Sequence, residues 1–143
     1  MDLQTLKNKL TALDQIAREI TRECGYTGLS NDLEYVKWDL QNPDEAFLHD
    51  ELKSILNTLD YFHYQLSYLQ QPITHEGNLQ YNRKKGYEID GVRLHTDERI
   101  EVLVLDEQTQ NHKWEMHHLR ENSSLVGMRA RIRKHAGHRK EGA

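Results

Sequence analysis

The chain has few cysteines, glycines and prolines and no long apolar segment. It has 143 residues and a single cysteine, Cys24, which excludes an internal disulfide framework and a zinc site built from several cysteines. No apolar run approaches the roughly 18 residues of a membrane-spanning helix. The N-terminus lacks a basic segment followed by an apolar one, so we expect no secretory signal. These absences predict a soluble protein in a reducing, cytoplasmic setting without membrane contact.

Glycine and proline are scarce as well, at eight and two residues. No glycine lies between Gly28 and Gly77, and Pro43 and Pro72 delimit most of that stretch. This distribution predicts one long helix that begins at Pro43 and ends before Pro72. Asn42 would be its N-cap, with Glu45 positioned to complete a capping box.

Two apolar seams with alternating steps of three and four residues predict two pairing helices. The first covers roughly residues 2–24, ends at Gly25, and has Ile16 widening its stripe; its seam is Leu3, Leu6, Leu10, Leu13, Ala17, Ile20 and Cys24. The second seam is Leu48, Leu52, Ile55, Leu59, Phe62, Leu66 and Leu69. A short connecting helix is expected between them, capped by Ser30 or Asn31, with Leu33, Val36 and Leu40 on one side. Residues 1–72 are therefore predicted to form an antiparallel helical hairpin, although such seams can also pair between copies and give a homodimer.

After Pro72 the apolar period changes to two, which is typical of strands. Short strands are predicted at 79–81, 87–89, 100–105, 114–116 and 129–133. Five short strands over residues 73–135 favour a small SH3-like antiparallel β barrel or meander. Residues 136–143 would form a basic, flexible tail. The expected fold class is α+β.

Several motifs of the second half also resemble a known family. They are Gly77-Asn78-Leu79, Gly86-Tyr87-Glu88-Ile89, Trp114 and Gly127-Met128-Arg129-Ala130-Arg131-Ile132-Arg133. Over residues 50–135 the chain resembles small, functionally unassigned proteins of Gram-positive bacteria and their mobile elements. The resemblance implies a helical N-terminal part, a compact β domain and no enzyme activity. It also implies an aromatic strand between Leu119 and Leu125, where this chain has only polar residues.

Sequence motifs for catalysis are missing. The chain contains no phosphate-binding glycine loop and no G-x-S-x-G elbow, and Cys24 is interpreted as an inert thiol in a helix seam. Asp44, Glu51 and Lys53 mimic a nuclease pattern, but they fall in one helix and not on adjacent strands around a metal ion. We therefore expect no enzyme activity, with an unrecognised nuclease or hydrolase as an alternative.

Nine histidines raise the possibility of a metal site. In a strand, His112 and His118 would share a face while His117 points to the other. No carboxylate or cysteine lies at a recognised ligand spacing from them. We expect neither a metal nor another cofactor.

The net charge of −4 conceals two unlike halves. Residues 1–72 carry −6 and residues 73–143 carry +2, which excludes a general coat for nucleic acid. The positive charge is concentrated at the C-terminus, in Arg129, Arg131, Arg133, Lys134, Arg139 and Lys140. The three strand arginines would share one face and suit RNA or DNA phosphates or an acidic protein surface. The alternatives are a charged, solvated edge strand or internal pairing with the acidic helices.

Tyr61, Tyr64 and Tyr68 cluster on nearly the opposite side of the long helix from its seam. Tyrosine is enriched at protein interfaces, so this stripe is a candidate partner-binding surface unless the connecting helix or the β domain covers it.

Together these features predict a non-catalytic binding protein. The favoured hypothesis is an inhibitor or adaptor from a mobile element or phage that docks on a host protein or nucleoprotein complex. The resemblance to mobile-element proteins narrows it to counter-defence, such as an anti-CRISPR role. The alternative is a regulatory protein that binds nucleic acid through the basic C-terminal strand.

Overall fold

The computed structural model describes residues 1–28, 33–120 and 123–134. The fold is α+β, with two helices followed by antiparallel strands in two sheets. The chain divides into two compact units, Met1–Gln70 and Gln71–Ala143, which we call the helical unit and the β unit.

The first helix, α1, spans Leu3–Cys24 and has a defined cap at each end. The Asp2 carboxylate accepts a hydrogen bond from the Thr5 backbone N–H at 2.7 Å, which satisfies one of the unpaired donors of the first turn. Gly25 adopts a left-handed conformation with φ of 77°, and the Tyr26 N–H donates back to the Thr21 carbonyl at 2.9 Å. Local sequence therefore sets both ends.

The second helix, α2, spans Pro43–Gln70. The Asn42 side chain accepts from the Asp44 N–H at 3.0 Å, as an N-cap does. Glu45 completes a different bond from the one expected, because its carboxylate accepts from the Asp39 N–H at 2.9 Å. The first turn of α2 is thus tied to the turn that precedes it.

The predicted connecting helix is wrong over residues 33–42, which form turns, bends and irregular segments. Leu33 has a positive φ of 69°, which a helix does not allow, and its side chain is buried. Asp39 accepts from the Gln41 N–H at 3.1 Å, so a side chain takes the place of a helical backbone acceptor. The predicted caps Ser30 and Asn31 lie outside the described residues.

Polar cross-helix contacts show that α1 and α2 run in opposite directions. Going along α1, the partners on α2 occur in descending order: Thr11 with Gln70 at 3.0 Å, Asp14 with His63 at 2.9 Å, and Arg18 with Asp60 at 3.4 Å. Ala17 and Thr21 of α1 and Leu56 of α2 are buried. We call these residues the contact line.

The predicted seams do not coincide with the contact line. In α1, Ala17 is buried and Cys24 half-buried, but Leu6, Leu13 and Ile20 are exposed. In α2, only Leu66 of the predicted seam is buried, while Leu48, Leu52, Ile55 and Leu69 are exposed. The prediction that the two seams pack on each other is wrong at these positions. The apolar stripes are wider than one helix contact, so α1 and α2 touch along one border of each stripe.

The described part of the β unit has seven strands where five were predicted. They are β1 Ile73–Asn78, β2 Gln80–Asn82, β3 Gly86–Ile89, β4 Val92–Leu94, β5 Arg99–Asp106, β6 Asn111–His118 and β7 Arg129–Arg133. One sheet has the order β1-β7-β5-β6 and the other β2-β3-β4. All pairs are antiparallel, and the strands in the described ranges do not close into a barrel. β2 and β4 are the shortest strands, with three residues each.

The core of the β unit lies between the two sheets. Its buried members are Leu79, Tyr87, Ile89, Leu94, Ile100, Val102, Leu119, Ala130 and Ile132. The Tyr87 hydroxyl donates to the Arg120 carbonyl and accepts from the Ser123 N–H, each at 2.9 Å. The Tyr87 hydroxyl therefore ties Arg120 and Ser123 to the core.

Candidate functional site

A polar cluster joins the two helices at the middle of the contact line. Both carboxylate oxygens of Asp14 lie 2.9 Å from Nδ1 of His63. Arg18 lies 3.9 Å from Asp14 on its own helix and donates to Asp60 across the pair. The cluster is only partly exposed, so these contacts favour one register of α1 against α2.

The same histidine reaches a serine. Nε2 of His63 lies 3.5 Å from the Ser67 Oγ, so Asp14, His63 and Ser67 follow one another as in a serine hydrolase. Ser67 lies inside α2, however, where backbone N–H groups are bonded to carbonyls one turn earlier. The helix beside Ser67 thus offers no oxyanion donor, which acyl transfer needs. We interpret the three residues as a structural contact between the helices.

The helical unit carries a row of exposed apolar side chains on each helix. We call them together the outer apolar face: Leu6, Leu13, Ile16 and Ile20 on α1, and Leu48, Leu52 and Ile55 on α2. Each is between 42% and 55% exposed. Large aliphatic side chains are normally among the most buried residues, so a group of seven is unusual.

Both rows lie on the same side of the helix pair. At 100° per residue, the row is displaced from the contact line by about 120° on α1 and about 70° on α2, in the same rotational sense along the sequence. In two antiparallel helices, displacements in the same sense point to the same side. The two rows therefore form one continuous apolar surface.

The tyrosine stripe is only partly exposed. Tyr61 and Tyr64 are each 62% exposed, whereas Tyr68 is 6% exposed and belongs to the buried residues of α2. Tyr68 is therefore covered, an alternative that the sequence left open for the whole stripe, and only Tyr61 and Tyr64 remain as a candidate surface. Tyr61 and Tyr64, which we call the tyrosine pair, are displaced from the contact line in the opposite sense to the outer apolar face. They lie on the other side of the helix pair.

The strand arginines are paired within the β unit. Arg131 and Arg133 both donate to Glu101 of β5, at 2.8 and 2.6 Å, and the Glu101 side chain is only 7% exposed. Arg129 donates to Glu76 of β1. The interpretation as a solvated edge strand is wrong, because β7 lies between β1 and β5. The ion pairs that these three arginines form with Glu76 and Glu101 lie inside the sheet.

A tryptophan adds to this pairing. The Arg131 guanidinium lies 4.1 Å from the ring centroid of Trp114 on β6. Stacking on an aromatic face further holds the arginine in place. Lys134 is exposed at the end of β7. The other predicted basic residues, Arg139 and Lys140, lie outside the described residues, as does the tail 136–143.

The β unit contains a second cationic cluster, which was not predicted from the sequence. Arg83, Lys84 and Lys85 form the exposed turn between β2 and β3, and Arg93 of β4 lies on the same sheet. We call these four residues the cationic turn; within the described ranges none of them forms an ion pair. A cleft of about 340 Å³ is lined by Lys85 and Arg93 together with Tyr81 and Tyr87, whose rings lie 5.0 Å apart. In the sequence, the run of three cations that begins two residues after Tyr81 could have identified this cluster.

The residues of the nuclease-like pattern and the histidines considered for a metal site each lie within one element. Asp44, Glu51 and Lys53 all lie on α2. In the part of the chain that the structure describes, no three histidine, cysteine, aspartate or glutamate side chains could hold a metal ion together, and His112, His117 and His118 all lie on β6. Among the described residues, no helix is both long and apolar enough to cross a membrane.

Comparison of the chain with protein-family models, with curated proteins and with solved structures finds no match.

Proposed function

We propose that this chain is a non-catalytic binding protein, an inhibitor or adaptor whose helical unit docks on a protein partner through the tyrosine pair. The observation that carries the proposal is the exposure of Tyr61 and Tyr64 on the side of the helices opposite the outer apolar face.

The tyrosine pair is suited to an interface. The two residues are three positions apart on a helix, which places their Cβ atoms about 5–6 Å from each other. Rigid aromatic rings supply a large contact area at a small cost in side-chain entropy. The Tyr61 hydroxyl accepts from the Gln65 side chain at 3.1 Å, so its own hydrogen can be donated to a partner.

The charge of the helical unit favours a basic partner surface. The charged residues of the first 72 positions sum to −6. Such a potential accelerates and orients association with a positively charged surface, of the kind that lines a nucleic-acid channel. A host nucleoprotein complex has this chemistry. The narrower hypothesis of counter-defence, such as an anti-CRISPR role, rests on the resemblance to mobile-element proteins and stays a prediction, as does a cytoplasmic location.

Affinity capture with matched variants tests the proposal. Immobilised wild-type protein should retain a stoichiometric partner from a bacterial lysate, and Tyr61→Ala with Tyr64→Ala should lose it. Tyr35→Ala is the matched control, because Tyr35 is also exposed but lies outside α2. Equal retention by the double variant and the control would refute the proposed surface.

A second candidate function is nucleic-acid binding by the β unit. The cationic turn favours it, because its residues form no ion pair within the described ranges and lie beside the exposed ring of Tyr81. Cations that contact the phosphate backbone next to a ring on which bases stack are typical of single-strand binding. The paired arginines of β7 are less available for this role, because a phosphate would have to displace Glu101.

The salt dependence of matched variants tests this candidate. Binding to single-stranded DNA or RNA should weaken with salt, and each lost phosphate contact should lower the logarithmic slope by about 0.7. We expect that replacing Arg83, Lys84 and Lys85 with alanine lowers the slope of binding affinity against salt concentration. Lys134→Ala should leave this slope unchanged. No binding by wild-type protein at about 50 mM salt would exclude this function.

A further inference from the structure

We propose that a second copy of this chain covers the outer apolar face, so that two helix pairs form an antiparallel four-helix bundle. This goes beyond the proposed function, because the tyrosine pair lies on the opposite side of the helices and stays accessible in the dimer.

The exposed area matches what a dimer requires. Seven half-exposed leucine and isoleucine side chains leave on the order of 600 Å² of apolar surface, the upper limit for the largest patch of a typical monomer. Bordering side chains, among them the half-buried Leu59 and Phe62, raise the area toward the roughly 800 Å² that each partner contributes to a standard interface.

The composition of the surface favours a permanent partner. Interfaces of homodimers are more apolar than those of transient complexes, and charged residues are depleted at their centre. The outer apolar face consists of aliphatic side chains repeating at helical spacing along two antiparallel helices. A helix pair with one apolar side is half of a four-helix bundle, in which side chains of this spacing interdigitate.

Two charges within the rows favour self-association in one orientation. Lys9 lies between Leu6 and Leu13 on α1, and Glu51 lies between Leu48 and Ile55 on α2 at the same spacing. The two charges are at opposite ends of the helix pair, because the helices are antiparallel. A two-fold axis perpendicular to the helices would bring Lys9 of one copy to the same end of the bundle as Glu51 of the other. That axis also keeps the two copies of Lys9 apart.

The mass of the full chain in solution tests the proposal. Sedimentation equilibrium between about 1 and 100 µM should show twice the 16.9 kDa of the chain, with dissociation only on dilution. Leu13→Glu and Ile55→Glu should each yield a monomer with unchanged helical circular dichroism, since both side chains are exposed in the isolated chain. Gln15→Glu is the matched control on the other side of α1 and should remain dimeric.

Charge exchange tests the orientation. Lys9→Glu and Glu51→Lys should each weaken the dimer, and the double variant should recover wild-type dissociation. A monomeric wild-type protein at the highest concentration would overturn the proposal and leave the face for a different protein. A dimer that survives Leu13→Glu and Ile55→Glu would place the interface elsewhere. Loss of partner capture in the tyrosine variants with an intact dimer would show that the two surfaces act independently.

Discussion

Glu101 and Arg131 face each other across β5 and β7, with Oε1 of the carboxylate 2.8 Å from Nη2 of the guanidinium. Arg133 approaches the other oxygen of the same carboxylate at 2.6 Å. One nearly buried anion therefore holds two cations that the sequence presents as a row of free charges. The arginines of β7 therefore stabilise the sheet through these ion pairs.

Replacing the shared carboxylate should destabilise the β unit strongly. In Glu101→Gln, Arg131 and Arg133 lose their common charged acceptor while remaining mostly buried. Breaking a buried ion pair by removing one partner costs about 3 kcal/mol. Denaturant unfolding followed by tryptophan fluorescence measures the change, because Trp114 lies against Arg131.

The exposed ion pair of the neighbouring strand supplies the control. Arg129 and Glu76 are about half and one-third exposed, so Glu76→Gln should cost less than about 1 kcal/mol. Equal losses in the two variants would contradict the distinction between a buried and an exposed pairing.

Tyr87→Phe should loosen the segment between β6 and β7. The variant keeps the buried ring but leaves the Ser123 N–H and the Arg120 carbonyl without their shared hydroxyl. We expect a loss of about 1–2 kcal/mol in the free energy of unfolding and faster amide exchange at Ser123. Unchanged exchange at that amide would mean that the hydroxyl does not hold the segment.

Asp2→Ala should fray the first turn of α1, with a loss of circular dichroism corresponding to roughly four residues. The Thr5 backbone N–H lowers the pKa of Asp2 below its ordinary value of 3.8, because it bonds to the charged form. The contribution of the cap is therefore complete above pH 3.8 and is lost as the pH falls through the lower folded pKa. The difference between wild type and variant should vanish in that acid range. A difference that persisted at the lowest pH would contradict the role of the carboxylate.

The ends of the helices could be predicted from sequence because capping is local. Asp2, Gly25 and Asn42 act within a few residues of themselves, and the structure places α1 and α2 within two residues of the predicted limits. The contact line was not predictable in the same way. A wide apolar stripe does not reveal which border meets the neighbouring helix, and here the polar residues Asp14 and His63 mark it.

The sheet shows the same division between local and long-range information. The turn Asp90-Gly91, with both residues at positive φ, was readable as a hairpin signal and would have identified β4. The pairing of Arg131 with Glu101 could not be predicted, because it depends on the register of β7 against β5, about 30 residues away along the chain. β1 was missed because its residues are mostly polar and include Gly77.

The sharpest test of the tyrosine pair as a docking surface is the dissociation constant of the captured partner, measured for three matched proteins. Tyr61→Ala with Tyr64→Ala should weaken binding by about thirtyfold or more, the loss expected for hot-spot side chains. Tyr35→Ala should bind as tightly as wild type, with all three proteins equally folded. Equal dissociation constants for the double variant and wild type would contradict the assignment of the tyrosine pair as the partner-binding surface.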